Sequence, residues 1–457
     1  MLRRRLGAVL MVLLAAHMSG ADSMMQARLI VLDPGHFHAS LVQKEMYPWL
    51  SPQVSVYAPL GPDVLDYLQR VALYNKRTQS PTSWQIDLRT GPDFLERMLR
   101  ERPGNVLILT GRNRPKVDRI RAGVAAGLNV LADKPWIISS VELPNLERAL
   151  EEAGRNGLIA YDIMTERYEI TSIFLRELVN DREVFGTLVS GSESDPAVSA
   201  KSVHYLMKVV SDVPLRQPAW FFDVAETGEG LTDVGTHVVD LVQWIAFPDQ
   251  ALNYRSDVRI SHGRHWPTVI SQADFERVTG EATFPPFLNG RVKDGKLDYY
   301  CNNAVDYTLR GIHVRLEILW DWQATEAPGD TFETVFQGSK ARVEIRQGKT
   351  ESYLPEIYVV PNSGAVKAEV LAALKRKLTA LEATYAGVGM RENADSVRLA
   401  IPDGFRVGHE AHFAQVTNRF FEYLKTPRTL PAWEKPNMLV KYFISTKGVE
   451  AGGGAHK

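Results

Sequence analysis

Short apolar runs alternate with helical patterns along the first third of the chain, from Ala27 to about Asp162. Four of these runs are rich in Val, Ile and Leu and are bounded by turn residues, which is typical of buried strands. They are Leu29–Asp33, Val54–Ala58, Asn105–Thr110 and Leu128–Ala132. Helical patterns lie between them, over 93–102 and 116–126 among others. The alternation predicts an α/β fold in which a parallel sheet is covered by helices, with a first domain over residues 27–160.

From Tyr161 onward the apolar residues follow a period of two. Ile312–Ile318 places His313, Arg315 and Glu317 on one face and apolar side chains on the other, and Lys340–Arg346 alternates in the same way. One polar, solvent-facing side and one apolar, buried side indicate an open, mainly antiparallel sheet that is covered by helices on one face. We expect these helices after residue 236 and near 415–424, in an α+β domain that spans 161–450.

The first residues have the pattern of a secretory signal peptide. Arg3 to Arg5 precede an uncharged run over 6–16, and small residues follow at 19–21. We therefore expect a signal peptide over 1–21 and export to the periplasm or the extracellular space. A start at Met24 or Met25 would instead leave the protein in the cytoplasm. No other segment reaches the length of a membrane span, and residues 451–457 are expected to form a flexible tail.

Composition narrows the class of protein. A chain of 457 residues is too long for one core and predicts two domains. Its 53 basic and 54 acidic residues, with no long basic run, argue against a nucleic-acid partner. The single cysteine, Cys301, excludes an intrachain disulfide and a metal site built from several thiolates.

The turn after the first strand reads Asp33-Pro34-Gly35-His36-Phe37-His38-Ala39. A Rossmann dinucleotide turn is normally G-x-G-x-x-G, so that bare backbone can approach the pyrophosphate. Gly35 can fill the middle position, while Asp33 and His38 stand where the outer glycines would be. The second strand is followed by Tyr57-Ala58-Pro59, with neither an acid for a ribose hydroxyl nor an arginine for a ribose phosphate. The choice between NAD and NADP is therefore open.

The same turn permits a different interpretation. His36 and His38 flank one residue at the end of a strand, an arrangement that metal-dependent hydrolases use for two ligands. The eight strand–helix repeats of such a barrel are absent from the sequence pattern. We therefore favour contact of these histidines with cofactor phosphate or substrate, and expect no metal ligands.

Two further motifs carry candidate chemistry. Lys134 directly follows a buried strand and precedes Pro135, which restricts it to extended backbone and aims it at the rim of the sheet. Asp233 and His237 stand four residues apart at the head of an apolar run, after Gly228 and Gly230. At helical spacing they would share a face, and the carboxylate would raise the basicity of the imidazole for proton abstraction from a hydroxyl.

Together these motifs resemble the Gfo/Idh/MocA oxidoreductases, the family of glucose–fructose oxidoreductase and inositol dehydrogenase. The resemblance covers nearly the whole chain after the leader, in the same order. It lies in 106–113, in Ala126-Gly127, in Asp133-Lys134-Pro135 (Glu-Lys-Pro in the family), in Arg167-Tyr168, in Trp220, in the segment 228–240 and in 408–423. The degenerate glycine turn and the missing ribose acid are departures, which suggest a divergent exported branch that could keep its nucleotide permanently bound.

The resemblance implies a nicotinamide-dependent oxidoreductase that acts on a hydroxyl of a sugar, polyol or glycoside. Lys134, Asp233 and His237 would be catalytic. The residues that would hold NAD or NADP are Asp33, Gly35, His36, Phe37, His38, Thr110, Asn113, Asp133, Lys134 and Pro135. The family's second sheet commonly carries a subunit contact, which implies a homo-oligomer. Three alternatives stay open: redox-assisted glycoside cleavage, a metal-dependent hydrolase and a non-catalytic carbohydrate-binding relative.

Substrate contacts are expected mainly from the second domain. The segment 261–303 is rich in aromatic and histidine residues that can stack on sugar rings or bond to hydroxyls. The candidates are Lys134, Arg167, Trp220, His237, His262, His265 and Trp266.

Overall fold

The computed structural model describes residues 26–210, 213–214, 216–323 and 329–453. The predicted signal peptide, the alternative starts Met24 and Met25, and the last four residues of the predicted tail lie outside this range. Within it, no helix is long and apolar enough to cross a membrane.

The first half forms a six-stranded, fully parallel sheet in the order β3-β2-β1-β4-β5-β6. Its strands are β1 (Ala27–Leu32), β2 (Leu50–Ala58), β3 (Gln85–Thr90), β4 (Val106–Leu109), β5 (Asn129–Ala132) and β6 (Ala160–Asp162). Its helices are α1 (His38–Leu41), α2 (Pro62–Lys76), α3 (Phe94–Glu101), α4 (Lys116–Ala125) and α5 (Leu143–Arg155). The strand order reverses between β1 and β4, as in doubly wound nucleotide-binding folds, and this confirms the predicted parallel-sheet fold.

The four strands expected in this sheet are present, and β3 and β6 are two additional ones. All four residues of β4 are buried, because helices cover both faces of the sheet. The edge strand β3 has no fully buried residue, so it lacks the apolar run that revealed the others.

The second half forms a large, mainly antiparallel sheet in the order β10-β12-β13-β7-β14-β15-β16-β18-β17, with β11 paired to β12. Its only parallel neighbours among the described strands are β13 and β7. The strands are β7 (Val198–Met207), β10 (Val258–Ser271), β11 (Val292–Lys293), β12 (Lys296–Leu309), β13 (Ile312–Gln323), β14 (Thr331–Gln337), β15 (Ala341–Gln347), β16 (Glu356–Pro361), β17 (Gly389–Glu392) and β18 (Val397–Ala400). A separate hairpin pairs β8 (Val209–Val210) with β9 (Val213–Pro214). The predicted open, mainly antiparallel sheet is confirmed.

Seven helices accompany this half of the described chain. They are α6 (Ile170–Val179), α7 (Val224–Thr227), α8 (Gly235–Ala246), α9 (Gln272–Thr279), α10 (Gly364–Leu381), α11 (His409–Lys425) and α12 (Glu434–Ala451). Apolar residues of α6, α8, α10 and α12 share one core with one face of the sheet. The other face carries rows of charge, such as Glu333 beside Lys201 beside Glu317.

The two last helices return to the first sheet. The helix predicted near 415–424 does not cover the second sheet: Phe413, Phe420 and Phe421 of α11 lie in the core beneath β1 and β2, because the apolar face of this helix packs on the first sheet. Met438 and Tyr442 of α12 join the core on the opposite face. Both halves therefore share packed elements along one cleft, and the domain boundary at residues 160 and 161 stays a prediction.

Candidate functional site

The centre of the cleft lies at the carboxyl ends of β1 and β4, where two glycines meet. The Gly35 amide donates to the carbonyl oxygens of Asp33, at 2.8 Å, and Thr110, at 3.1 Å. Gly111 has a φ of +153°, and a Cβ added to it would lie 2.8 Å from the Gly35 nitrogen. Only glycine permits this approach at position 111. The two glycines therefore leave no side chain between the ends of β1 and β4. This is the point at which the strand order reverses, and dinucleotide phosphates bind there in folds of this kind.

Two of the predicted cofactor residues line the crevice beside these glycines. Asp33 has a φ of +46° and its Oδ2 accepts a hydrogen bond from Arg119 Nη1 at 2.7 Å. The Oγ1 atom of Thr110 is buried and has no hydrogen-bond partner among the described residues. A buried hydroxyl without a partner is costly, so Thr110 offers a hydrogen bond to a bound ligand.

His36, His38 and Asp133 form a compact cluster next to this turn. Asp133 Oδ2 lies 3.2 Å from His38 Nδ1 and 3.6 Å from His36 Nδ1, while Lys116 Nζ binds Oδ1 at 2.5 Å. Burial alone would raise the pKa of Asp133, but the Lys116 charge and the two imidazoles hold it well below its ordinary value. Phe37 packs its ring against both histidines, with centroids 4.4 and 4.6 Å apart.

Asn113 connects the first sheet to the glycine-rich segment of the second half. Its Nδ2 donates to the Thr227 carbonyl at 2.8 Å, and its Oδ1 accepts from Lys116 Nζ at 2.7 Å. Because both ends of its amide bind within the protein, Asn113 positions the segment at Gly228. Its predicted contact with cofactor stays a prediction.

Lys134 and Asp233 meet across the cleft. Lys134 Nζ donates to Asp233 Oδ1 at 2.6 Å, with side chains 9% and 21% exposed. The Lys134–Pro135 peptide bond is cis and follows β5 directly. The strand end thus places the ammonium group at the mouth of the cleft, in contact with the turn that leads into α8.

The expected pairing of Asp233 with His237 is corrected by the structure. Helix α8 begins at Gly235, so Asp233 precedes it, and its carboxylate binds Lys134 instead. The Nδ1 atom of His237 is buried without a partner among the described residues. Burial and the nearby Lys134 charge lower the pKa of His237 well below its ordinary value, where the sequence had suggested a raised basicity. At neutral pH the imidazole is therefore neutral and can accept a proton.

Sequence reasoning missed Glu166, which lies in the 3₁₀ helix Thr165–Tyr168. Burial raises the pKa of its carboxyl to about 7, with the charge of Glu169 adding to the effect and that of Lys134 opposing it. A carboxyl that titrates near neutrality beside a catalytic candidate is typical of acid–base sites. No local motif could have identified it, because the shift depends on burial in the folded chain.

Arg167, expected to touch substrate, has a structural role. Its Nε and Nη2 atoms bind both oxygens of Asp240, at 2.6 and 2.7 Å, and Nη1 binds Glu434 at 2.8 Å. Lys441 adds a bond to Asp240 at 3.0 Å. The network joins the 3₁₀ helix to α8 and α12, and a substrate contact by Arg167 stays a prediction.

Trp220 lies over the glycine turn. Its Nε1 donates to Asp63 Oδ2 at 3.2 Å, and the Arg112 guanidinium stacks on its ring at 4.8 Å. A Cβ on Gly35 would be 3.4 Å from the Trp220 ring. The ring therefore covers the place where a dinucleotide would approach the backbone, and the predicted substrate contact is untested.

The three candidates on β10 separate between the two faces of the sheet, because successive strand residues point in opposite directions. His265 faces inward, where its Nδ1 lies 3.2 Å from Oε1 of the buried Glu229. His262 is aligned with Asp306 of the charged outer face. Trp266 is covered by the Arg264 guanidinium at 4.4 Å. Of the three, His265 has the environment that best fits a substrate contact.

The strand order and the second sheet define a two-domain class with the Gfo/Idh/MocA-like fold. A family model described as "Putative oxidoreductase C terminal domain" matches residues 174–452, and the chain belongs to this family. A search of the curated proteins gives no match.

Among solved structures, a putative oxidoreductase from Parabacteroides merdae ATCC 43184 shares 43% identity with the chain, over 94% of this chain and 98% of that one, with a TM-score of 0.91. Two more distant structures share the fold alone. KijD10, a 3-ketoreductase from Actinomadura kijaniata in complex with TDP-benzene and NADP, has 11% identity over 92% of this chain and 96% of its own, with a TM-score of 0.53. GenD2 from gentamicin A biosynthesis, in complex with NAD, has 15% identity over 94% of each chain and a TM-score of 0.54.

Proposed function

We propose that this oxidoreductase uses a nicotinamide cofactor and acts on a hydroxyl of a sugar, polyol or glycoside. The observation that carries the proposal is the Lys134–Asp233 ion pair, which lies across the cleft at the carboxyl ends of the parallel strands. This is the edge at which doubly wound sheets bind their ligands. The fold relatives KijD10 and GenD2, which hold NADP and NAD, support the same class of cofactor.

The residues at the switch point fit such a cofactor. The unpartnered Thr110 hydroxyl suits a phosphate oxygen, Gly35 and Gly111 place no side chain in its way, and Arg112 supplies a positive charge nearby. The Trp220 ring on Gly35 would shift aside for the ligand and then cover it. When bound, the cofactor would accept hydride from the carbinol carbon. Neither NAD nor NADP is preferred, and a permanently bound nucleotide remains part of the proposal.

The protein's own groups handle the proton and the charge. Lys134 donates a hydrogen bond to the substrate oxygen, and its ammonium stabilises the negative charge that develops there. Asp233 orients that ammonium. The imidazole of His237, which is uncharged at neutral pH, accepts the hydroxyl proton. Because burial lowers the pKa of His237, the imidazole readily gives the proton up again.

Glu166 also favours one alternative, redox-assisted cleavage of a glycoside. Cleavage needs one group that removes a proton beside the transient ketone and another that protonates the leaving oxygen. A carboxyl with a pKa of about 7 near Lys134 could serve as the second group, alongside His237. We also propose that the protein is exported. We further propose that it forms a homo-oligomer through the charged face of the large sheet.

The proposal is tested by incubating the purified protein and NAD or NADP with a panel of sugars and glycosides under mass detection. Net oxidation lowers the product mass by two hydrogens, whereas cleavage yields two fragments. We expect Lys134→Ala and His237→Ala to abolish turnover with little change in thermal stability. The control is Lys340→Ala, which removes only a solvent-exposed pair with Glu369 and should keep wild-type activity. Near-wild-type turnover in the Lys134 or His237 variant would refute the assignment.

A further inference from the structure

The cluster of His36, His38 and Asp133 has a geometry that the proposed oxidation does not use. In the described part of the chain it is the one group of three potential metal-ligating side chains whose ligand atoms all lie within 4.8 Å of one another. Two imidazole Nδ1 atoms face the same carboxylate oxygen, Asp133 Oδ2. The outer member, His36, has a side chain that is 27% exposed, so solvent can reach the cluster.

The distances suit a shared ion better than hydrogen bonds alone. The 3.2 Å from His38 Nδ1 to Asp133 Oδ2 permits a hydrogen bond, but the 3.6 Å from His36 Nδ1 is too long for one. Zinc bonds of about 2.0–2.1 Å in a tetrahedron place their ligand atoms about 3.3–3.4 Å apart. The two measured separations bracket that value.

The ligand atoms are also suitably placed. Because the Nδ1 atoms of His36 and His38 both face Asp133 Oδ2, an ion between them would meet one lone pair from each imidazole. Lys116 Nζ binds the other oxygen of Asp133 and holds the carboxylate in place, as metal-site carboxylates are commonly held. Because the Lys116 ammonium offsets part of the carboxylate charge, we expect moderate affinity for a cation.

We infer that His36 Nδ1, His38 Nδ1 and Asp133 Oδ2 form a binding site for a divalent transition-metal ion, with Zn²⁺ preferred. Two imidazoles and one carboxylate are ligands that zinc commonly takes, and they leave a fourth position for water or a ligand oxygen. The site adjoins Lys134 in sequence and the glycine turn in space. The inference does not rest on proton transfer by His237, but His36, His38 and Asp133 are also predicted to contact the cofactor, so metal binding and nucleotide binding are measured separately.

The test uses Co²⁺ as a spectroscopic substitute for Zn²⁺. The full-length protein is treated with a chelator, dialysed and titrated with Co²⁺, and the visible absorption and stoichiometry are recorded, with Zn²⁺ then displacing the Co²⁺. We expect one Co²⁺ per chain with the intense absorption of a four- or five-coordinate site. His36→Ala should weaken binding by about 100-fold or more, and Asp133→Asn should have a similar effect, while the outer-face control His262→Ala binds as wild type.

Two results would overturn the inference: absence of stoichiometric Co²⁺ and Zn²⁺ binding by the wild-type protein, or unchanged binding by His36→Ala. His36 is only half-buried, so its replacement should leave the fold intact, and thermal unfolding of the variant checks this. Nucleotide binding is measured on the same samples. Normal nucleotide binding without metal binding would refute the inferred metal site and would still support the proposed oxidoreductase function.

Discussion

At the scale of single residues, the site depends on which charge each group meets after folding. The sequence identified Lys134, Asp233 and His237, yet their pairing differs from the one that helical spacing suggested. Asp233 lies in the turn before α8 and meets Lys134, 99 residues earlier in the chain. No local pattern contains that contact. The same holds for Glu166, whose carboxyl looks ordinary in the sequence but titrates near neutrality in the folded protein.

Glu166 gives a prediction for stability against pH. Its pKa rises from 4.5 to about 7 on folding, so between these values the folded state holds a proton that the unfolded state releases. The stability contribution of this group is therefore complete below about pH 4.5 and is lost as the pH rises through 7. Glu166→Gln, which stays neutral, should lose less stability over that range. Urea unfolding at pH 5 and pH 8 measures the difference, and an identical pH response in both proteins would contradict the shift.

At the scale of elements, strands with at least one buried face were predictable, and an edge strand without a buried residue was not. The apolar run of β4 is readable because helices cover both sides. The edge strand β3 has the sequence Gln-Ile-Asp-Leu-Arg-Thr and no fully buried residue, so its pattern carries little signal. Once the pairing of β10 with β12 is known, the alternation of side chains along the strand shows which face each residue of β10 lies on. Sequence alone did not reveal that His262 and His265 lie on opposite faces.

The ion network around Arg167 gives a prediction at this scale. Arg167→Met would leave Asp240 and Glu434 buried with fewer cationic partners, which costs about 3–5 kcal/mol of unfolding free energy. The control is Arg255→Met, which breaks an exposed pair with Glu147 and should cost at most about 1 kcal/mol. Denaturant unfolding of both variants gives the comparison. Equal losses would mean that the network does not join α8 and α12 as described.

At the scale of the whole molecule, the sequence predicted the order of the two sheets. Strands alternate with helices in the first third of the chain, and strands with a period of two in their apolar residues follow. The return of α11 and α12 to the first sheet was not predicted, because contacts such as Phe421 with Tyr47 link residues far apart in the sequence. Residues of α12 belong to the cores of both sheets, so this helix packs on both halves of the chain.

The central claim is that this cleft holds a nicotinamide nucleotide. The most direct measurement is to denature the purified protein, scan the supernatant for nucleotide absorbance, and titrate refolded or emptied protein with NAD(H) and NADP(H). We expect either released nucleotide or saturable binding of one per chain. A Cβ at Gly35 makes only ordinary contacts, at 3.4 Å, yet it would occupy the phosphate approach. Gly35→Ala should therefore bind about tenfold more weakly or worse with unchanged thermal unfolding. No released nucleotide and no binding of either cofactor would contradict the account.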